Sequence, residues 1–365
     1  MKVLLASPIG LPGGIARWTE HILHYYEHAK YDCDVSFLPM TSKLAQNNIN
    51  IGYFQRVKRG LSMYYAVAQQ EKMMFNEDQY DVIHIASSAS ISLTKDLYMI
   101  RLAHKRGVKA IIHFHFGRIP ELKLRNNWEW KLLCMVVKKA DMIMVIDMPS
   151  YETLLQSGFT NVRLLPNPLS PMVSKIVDEG KLSKRNKREI LFVGHGYRTK
   201  GIYELVDACR EIPNIKVKML GAISDKTRDD LFKYSNNAEW LEIVGEIPYE
   251  HVIMAMMQCD VFVLPTYTEG FPNVILESMA CGCAIVTTPV GAIPEMLEEE
   301  EGKHYGIMVE PRNVEQLKAG IEKMLADDNF KTECRANVRQ RVIERYNIDS
   351  VWRQMVDIWR ETAKQ

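Results

Sequence analysis

Asp260-Val261-Phe262-Val263-Leu264-Pro265 leads, two residues later, into Thr268-Glu269-Gly270-Phe271-Pro272-Asn273-Val274-Ile275-Leu276-Glu277-Ser278-Met279-Ala280-Cys281-Gly282. The apolar run from Val261 to Leu264, bounded by Asp and Pro, has the pattern of a strand buried in a parallel sheet. Gly270 and Pro272 keep the next residues out of a helix. Asn273 is a good N-cap, Val274 to Ala280 is helix-compatible, and Gly282 supplies the stop. The order is strand, loop, helix, with Glu269 in the loop and Glu277 about one turn into the helix. A helix N-terminus presents N–H groups and a positive dipole end, which suits a phosphate. A carboxylate before that seat and another beside it accept hydrogen bonds from sugar and ribose hydroxyls. Either glutamate alone reads as a solvated surface group. Eight positions apart, around a Gly-Phe-Pro-Asn loop behind a buried strand, they point to a site.

The same grammar recurs along the chain. Lys2 to Ser7 reads as a strand, Pro8 to Gly14 as a Gly/Pro loop and Ile15 to Tyr26 as a helix, a Rossmann-like opening. Pro12-Gly13-Gly14 is not the dinucleotide GxGxxG fingerprint, and no ribose-binding acid follows. Val35–Leu38, Tyr80–Ile85, Val108–Gly117 and Ala140–Ile146 are further strands. Glu189 to Val193 starts a second series. There Gly194-His195-Gly196-Tyr197-Arg198-Thr199-Lys200-Gly201 forms a loop that lacks the Walker GK[ST] ending. Lys216–Gly221, Ile243–Pro248 (a strand and loop), Ala284–Thr288 and Gly306–Val309 continue it. After the break Tyr346-Asn347-Ile348-Asp349, Asp349 or Ser350 caps an amphipathic helix carrying Val351, Met355, Ile358 and Trp359.

With 365 residues the chain has room for two cores. Hydrophobic content of 47% and charge content of 25% fit a soluble globular protein. A net charge of +1 gives no global field for nucleic acid. Residues 1–170 carry 20 Lys/Arg against 14 Asp/Glu, and the rest 26 against 31. The basic first half suits an anionic partner such as a membrane surface. Arg118 to Lys139 reads as one basic helix bearing Trp128 and Trp130, suited either to such a surface or to packing on the sheet. Asn47, Asn48, Asn50, Arg56, Lys58 and Arg59 mark a polar loop. The seven cysteines, without a CxxC pair, read as reduced thiols of a cytosolic protein. No run reaches the roughly 18 apolar residues of a spanning helix.

Glu269 and Glu277, with the sequence between and after them, resemble the E-x7-E motif of retaining glycosyltransferases of the GT-B fold, in particular glycosyltransferase family 4. The resemblance extends to the Gly-Gly loop at Gly14, to Pro166-Asn167 and to Val290-Gly291-Ala292-Ile293-Pro294-Glu295. It implies two Rossmann-like domains facing a central cleft. Residues 1–168 would bind the acceptor, 169–188 would be a linker, 189–348 would bind a nucleotide sugar, and 349–365 would cross back to the first domain. By the same resemblance Glu269 holds the donor sugar and Glu277 the ribose. Gly14, Gly270, Phe271, Pro272, Asn273 and Val274 lie along sugar and phosphates, and Ile247 lies by the base. Lys200 neutralises the departing diphosphate, and His115 meets the donor sugar. His113 is expected as a packed core histidine facing away from His115.

Family members carry an Arg where this chain has His195; Arg198 or a protonated His195 supplies the missing charge. Asp32-Cys33-Asp34 spells the DxD metal motif of the GT-A fold, but it precedes a strand and reads as a solvated turn. The implied activity is a retaining transfer that needs no metal or cofactor, from a UDP- or GDP-sugar to a glycan or lipid-linked acceptor in bacterial surface polysaccharide synthesis. The place is the cytoplasm, against the inner face of the membrane. A nucleotide-sugar epimerase and a non-catalytic nucleotide-sugar or glycan-binding protein are the alternatives.

Overall fold

The computed structural model describes residues 1–10, 14–28, 33–40, 65, 67–180 and 185–365. The chain forms two compact units. One comprises Met1–Asn167 with Ile348–Gln365, the other Pro168–Asn347. Each is built on a six-stranded parallel sheet.

The first sheet contains β1 (Lys2–Ser7), β2 (Asp34–Pro39), β3 (Val82–Ser87), β4 (Lys109–Phe114), β5 (Met142–Val145) and β6 (Val162–Leu164), in the order β2-β1-β3-β4-β5-β6. Side chains alternate across a strand, so β1 feeds two cores. Leu4 and Ala6 join Ile83, Ile85 and Ile112 beneath helices Ser92–Lys105 and Trp128–Val137. Val3 and Leu5 join Val82 and Ile111 on the opposite face, which helices Gly14–His28 and Ile348–Ala363 cover. The second of these presents Val351, Trp352, Met355, Ile358 and Trp359, an i, i+1, i+4, i+7, i+8 stripe, to the sheet. Trp352 and Trp359 are fully buried, and truncating either to alanine costs about 3–5 kcal/mol.

The second sheet contains β7 (Glu189–Val193), β8 (Lys216–Leu220), β9 (Leu241–Gly245), β10 (Val261–Leu264), β11 (Ala284–Thr287) and β12 (Ile307–Met308), in the order β12-β11-β10-β7-β8-β9. The winding reverses between β7 and β10. The crevice outside the carboxyl ends of these two strands is where open α/β sheets bind ligands.

Several expectations need correction. The segment 169–188 is not simply a polar linker. Pro171–Glu179 is a helix that buries Val173 and Val177 in the second unit's core. Its apolar residues fall four apart, a helical stripe within a charged sequence. The basic segment from Arg118 to Lys139 is two helices, Ile119–Arg125 and Trp128–Val137. Asn126 ends the first in a left-handed conformation, and the Asn127 side chain caps the second by accepting from the N–H groups of Glu129 and Trp130. Pro272, not Asn273, is the N-cap of helix Asn273–Ala280. The C-terminal helix starts at Ile348, so Asp349 lies inside its first turn, where a carboxylate meets the positive dipole end. Residues Pro12, Gly13, Asp32 and the polar loop around Asn47–Arg59 lie outside the described residues. Among the described residues, no helix is long and apolar enough to cross a membrane.

Candidate functional site

The second unit gathers its polar groups at the crevice between β7 and β10. Gly201 closes the loop after β7 with φ +71°, and a Cβ there would sit 2.0 Å from the Pro265 carbonyl oxygen. Only glycine permits this approach. Two hydrogen bonds then join the loops. Tyr267 N–H donates to Thr199 O at 2.8 Å, and Thr266 Oγ1 to the same oxygen at 3.3 Å. Lys200 is thereby held against Glu269, with Nζ 2.5 Å from Oε1 and both side chains largely shielded from solvent. On the far side Gly291, at φ +59°, lets its turn press on the Glu269-Gly270 backbone, and Ala292 N–H donates to Gly270 O at 2.8 Å. Glu269 is thus braced by two loops besides its own.

Phe271 packs edge-on against Tyr346, with ring centroids 5.9 Å apart. Asn273 and Val274 form the first turn of the helix whose N-terminus faces the same loop. That helix ends as the sequence indicates: Gly282 takes φ +60°, Gly282 N–H donates to Met279 O and Cys283 N–H to Ser278 O, the Schellman pattern. Glu277 Oε1 accepts from Tyr249 Oη at 2.6 Å. Tyr249 comes two residues after Ile247, which packs half-buried on the core. A cavity of about 400 Å³ opens at the carboxyl ends of β7, β8 and β9, lined by Gly196, Tyr197, Gly221, Ile223, Ser224 and Glu246 among others. His195 and Arg198 stand apart from the ion pair. The His195 ring stacks on Tyr197 at 5.4 Å, and the Arg198 guanidinium lies over Tyr203 at 4.9 Å.

The first unit holds Gly14 and His115. Gly14 opens helix Gly14–His28, and a Cβ there would meet nothing within 4 Å. His115 follows β4, and its N–H donates to Ser87 O at 3.0 Å. His113 does not face away from it. The two rings lie 3.9 Å apart, because residues two apart on a strand share a face. Trp18 packs on both, at 5.3 Å from His113 and 4.6 Å from His115. His84 Nε2 lies 3.2 Å from His113 Nδ1, and Trp359 Nε1–H donates to His84 Nδ1 at 3.0 Å. Burial pushes His84 and His115 down to about 3 and holds His113 well below its ordinary value, so all three rings are neutral near pH 7.

Tyr249, Trp18 and His84 were not singled out from sequence, and Trp359 only as part of an amphipathic helix. His84 comes close to His113 through the pairing of β3 with β4, where Ala86 registers with His113, a register that the sequence alone does not reveal. Asp34 of the DxD run opens β2 and pairs with Lys2 at 3.7 Å. Among the described residues, the one grouping of three potential metal-ligating side chains is the exposed His24, Glu27 and His28.

Comparison with known proteins matches residues 12–171 to the model "Glycosyltransferase Family 4" and residues 174–341 to "Glycosyl transferases group 1". A capsular polysaccharide biosynthesis glycosyltransferase of Staphylococcus aureus is 26% identical, over 73% of this chain and 69% of its own length. A Campylobacter jejuni enzyme named as an N-acetylgalactosaminyltransferase acting on a diphospho-undecaprenol-linked sugar is 26% identical, over 69% of this chain and 70% of its own. The Anabaena protein HepE, solved in complex with UDP-glucose, superposes with a TM-score of 0.68 at 16% identity, covering 98% of both chains. At that identity the likeness speaks for the fold.

Proposed function

This chain belongs to the group 1 / family 4 glycosyltransferases of the GT-B fold, and from that premise we propose that it is a retaining, metal-independent enzyme moving a sugar from a UDP- or GDP-sugar to a glycan or lipid-linked acceptor in surface polysaccharide synthesis. The observation that carries the reading is the braced Lys200–Glu269 pair at the sheet's switch point. Glu269 has lone pairs to spare for donor sugar hydroxyls, and Lys200 has two further N–H donors for the diphosphate. In the shielded crevice a fixed ammonium stabilises the negative charge that builds on the leaving group. Glu277, oriented by Tyr249, takes the ribose hydroxyls. The N-terminus of helix Asn273–Ala280 receives a phosphate.

In this reading Glu269 and Glu277 serve binding, and no covalent nucleophile is assigned among the described residues. Transfer proceeds on the front face, with a donor phosphate oxygen taking the acceptor proton. The cavity beside Glu246 suits the base. His195 or Arg198 swings from its tyrosine to join Lys200 when the diphosphate arrives. The Anabaena complex supports a nucleotide-sugar donor of the UDP type, and the named activities of the two relatives support a polysaccharide or lipid-linked acceptor. Leu124 and Trp128, exposed beside Lys123, Arg125 and Lys131, form the patch by which the enzyme meets an anionic membrane. In this reading the enzyme works in the cytoplasm, against the inner face of the membrane.

The test is transfer itself. With a radiolabelled sugar donor, a lipid-phosphate acceptor and excess EDTA, the product should form with the donor's α- or β-anomeric configuration preserved. Loss of activity in EDTA, an inverted product, or release of free sugar without an acceptor would each refute the corresponding part.

A further inference from the structure

Trp359 and two buried histidines of the first unit, His84 and His113, form a relay whose proton positions the geometry dictates. An indole N–H only donates. Trp359 Nε1 lies 3.0 Å from His84 Nδ1, so that nitrogen must be the acceptor. The ring is neutral, and its one proton sits on Nε2. His84 Nε2 is 3.2 Å from His113 Nδ1, so it donates there, and the proton of His113 lies on Nε2 in turn. An extra proton on His84 would aim N–H at the Trp359 N–H. One on His113 would aim N–H at the His84 N–H. Both rings are fully buried, and burial acts in the same direction.

The relay ends on an unmet group. Among the described residues His113 Nε2 has no hydrogen-bond partner, and neither do His115 Nε2 and Trp18 Nε1. These three belong to rings in mutual contact at the carboxyl end of β4. His115 differs from His84 and His113 because no side-chain hydrogen bond within the described chain fixes its tautomer.

We propose that Trp359 and His84 are positioning residues: acting through this two-bond relay, they hold His113 as a neutral Nε2–H donor beside His115. The C-terminal helix thereby sets the hydrogen-bonding polarity of the histidine cluster in the first unit. A polar group bound at His115, which is not fully buried, meets a tautomer free to adapt beside the fixed donor of His113. The contribution of this relay to turnover rests on the transferase reading above; the relay itself does not.

The experiment is imidazole ¹⁵N NMR of the full-length protein labelled at histidine, with His84 and His113 assigned by the signals lost in His84→Gln and His113→Gln. Both rings should show a protonated Nε2 and a bare Nδ1. In Trp359→Phe, which keeps a ring in the core, both should become tautomer mixtures. The kcat for transfer should fall about tenfold with donor KM little changed, the scale on which an outer partner orients a histidine. A protonated Nδ1 on either ring of the wild-type protein would overturn the proposal. So would unchanged tautomers or unchanged kcat in an active Trp359→Phe protein. If that variant fails to fold, the wild-type spectrum alone still decides. Correct tautomers in a protein that transfers no sugar would instead count against the transferase reading and leave the relay standing.

Discussion

The two units share a parallel sheet architecture yet arrange polar groups in opposite ways. The second gathers paired charge in its shielded crevice: Lys200 meets Glu269, and Glu277 meets Tyr249, on loops clamped by Gly201 and Gly291. The first buries neutral rings, with Trp359, His84, His113, His115 and Trp18 packed against one sheet face. A charged pair at a switch point suits a substrate whose charge changes in the reaction. A neutral cluster suits recognition of uncharged hydroxyls. One fold supports both because the strand ends, not the sheets, carry the chemistry.

The sharpest way to break this contrast is Lys200→Met. It should lower kcat by about a hundredfold to a thousandfold, the cost of losing one fixed donor to a developing anion. In steady-state kinetics a change under threefold would remove Lys200 from the mechanism.

The next prediction concerns the first unit's buried acid. Glu71 in the helical segment 67–77 is fully buried, and burial raises its carboxyl to about 8. Its folded value lies above its unfolded one, so the stability it contributes is present below about 4.5. That contribution is lost as the pH rises through about 8. Glu71→Gln should therefore gain on the wild-type protein with rising pH, by roughly 4 kcal/mol between pH 5 and pH 9. Chemical denaturation at pH 5 and pH 9 checks the slope, and an equal difference at both would contradict it. The depressed histidines run the other way. Their contribution is full above the unfolded value near 6.5 and falls as the pH drops toward about 3. The histidines are common to both proteins, so their slope cancels in the difference between Glu71→Gln and wild type.

The glycines sharpen the comparison further. Gly201→Ala should cost about 1–3 kcal/mol, since it forces an L-residue to φ +71° against the Pro265 carbonyl. Gly14→Ala in the first unit, with open space around its Cβ, should shift stability by less than about 1 kcal/mol. Parallel urea titrations decide, and equal costs would mean the clamp at Gly201 is not special. The smallest effect is expected at Tyr249→Phe. It removes one hydrogen bond to Glu277 and should raise donor KM about threefold to tenfold while leaving kcat nearly intact.

The second unit's site was legible in sequence because its parts are local. Strand, loop and helix follow one another from Asp260 to Gly282, and Lys200 sits one loop away in an equivalent unit. Each turn is marked by a Gly or Pro with a stereochemical reason to be there. The first unit's cluster was not. Trp359 and His84 are 275 positions apart, and only the docking of the C-terminal helix brings them together. Even His113 was misplaced, although a period of two alone puts it beside His115. The helix Pro171–Glu179 was hidden for a related reason. Its charged residues read as linker until Val173 and Val177 are seen to share a face on the core. Tertiary burial overrides composition in such segments.

The most direct measurement is thermal unfolding of the wild-type protein and Glu269→Ala against UDP, GDP, ADP and their sugars at millimolar concentration in EDTA. One nucleotide family should raise the wild-type Tm, its nucleotide sugar should raise it further, and Glu269→Ala should keep the nucleotide shift but lose the sugar's added part. No shift with any of them, or an identical sugar response in Glu269→Ala, would contradict the assignment of the Lys200–Glu269 crevice as the donor site.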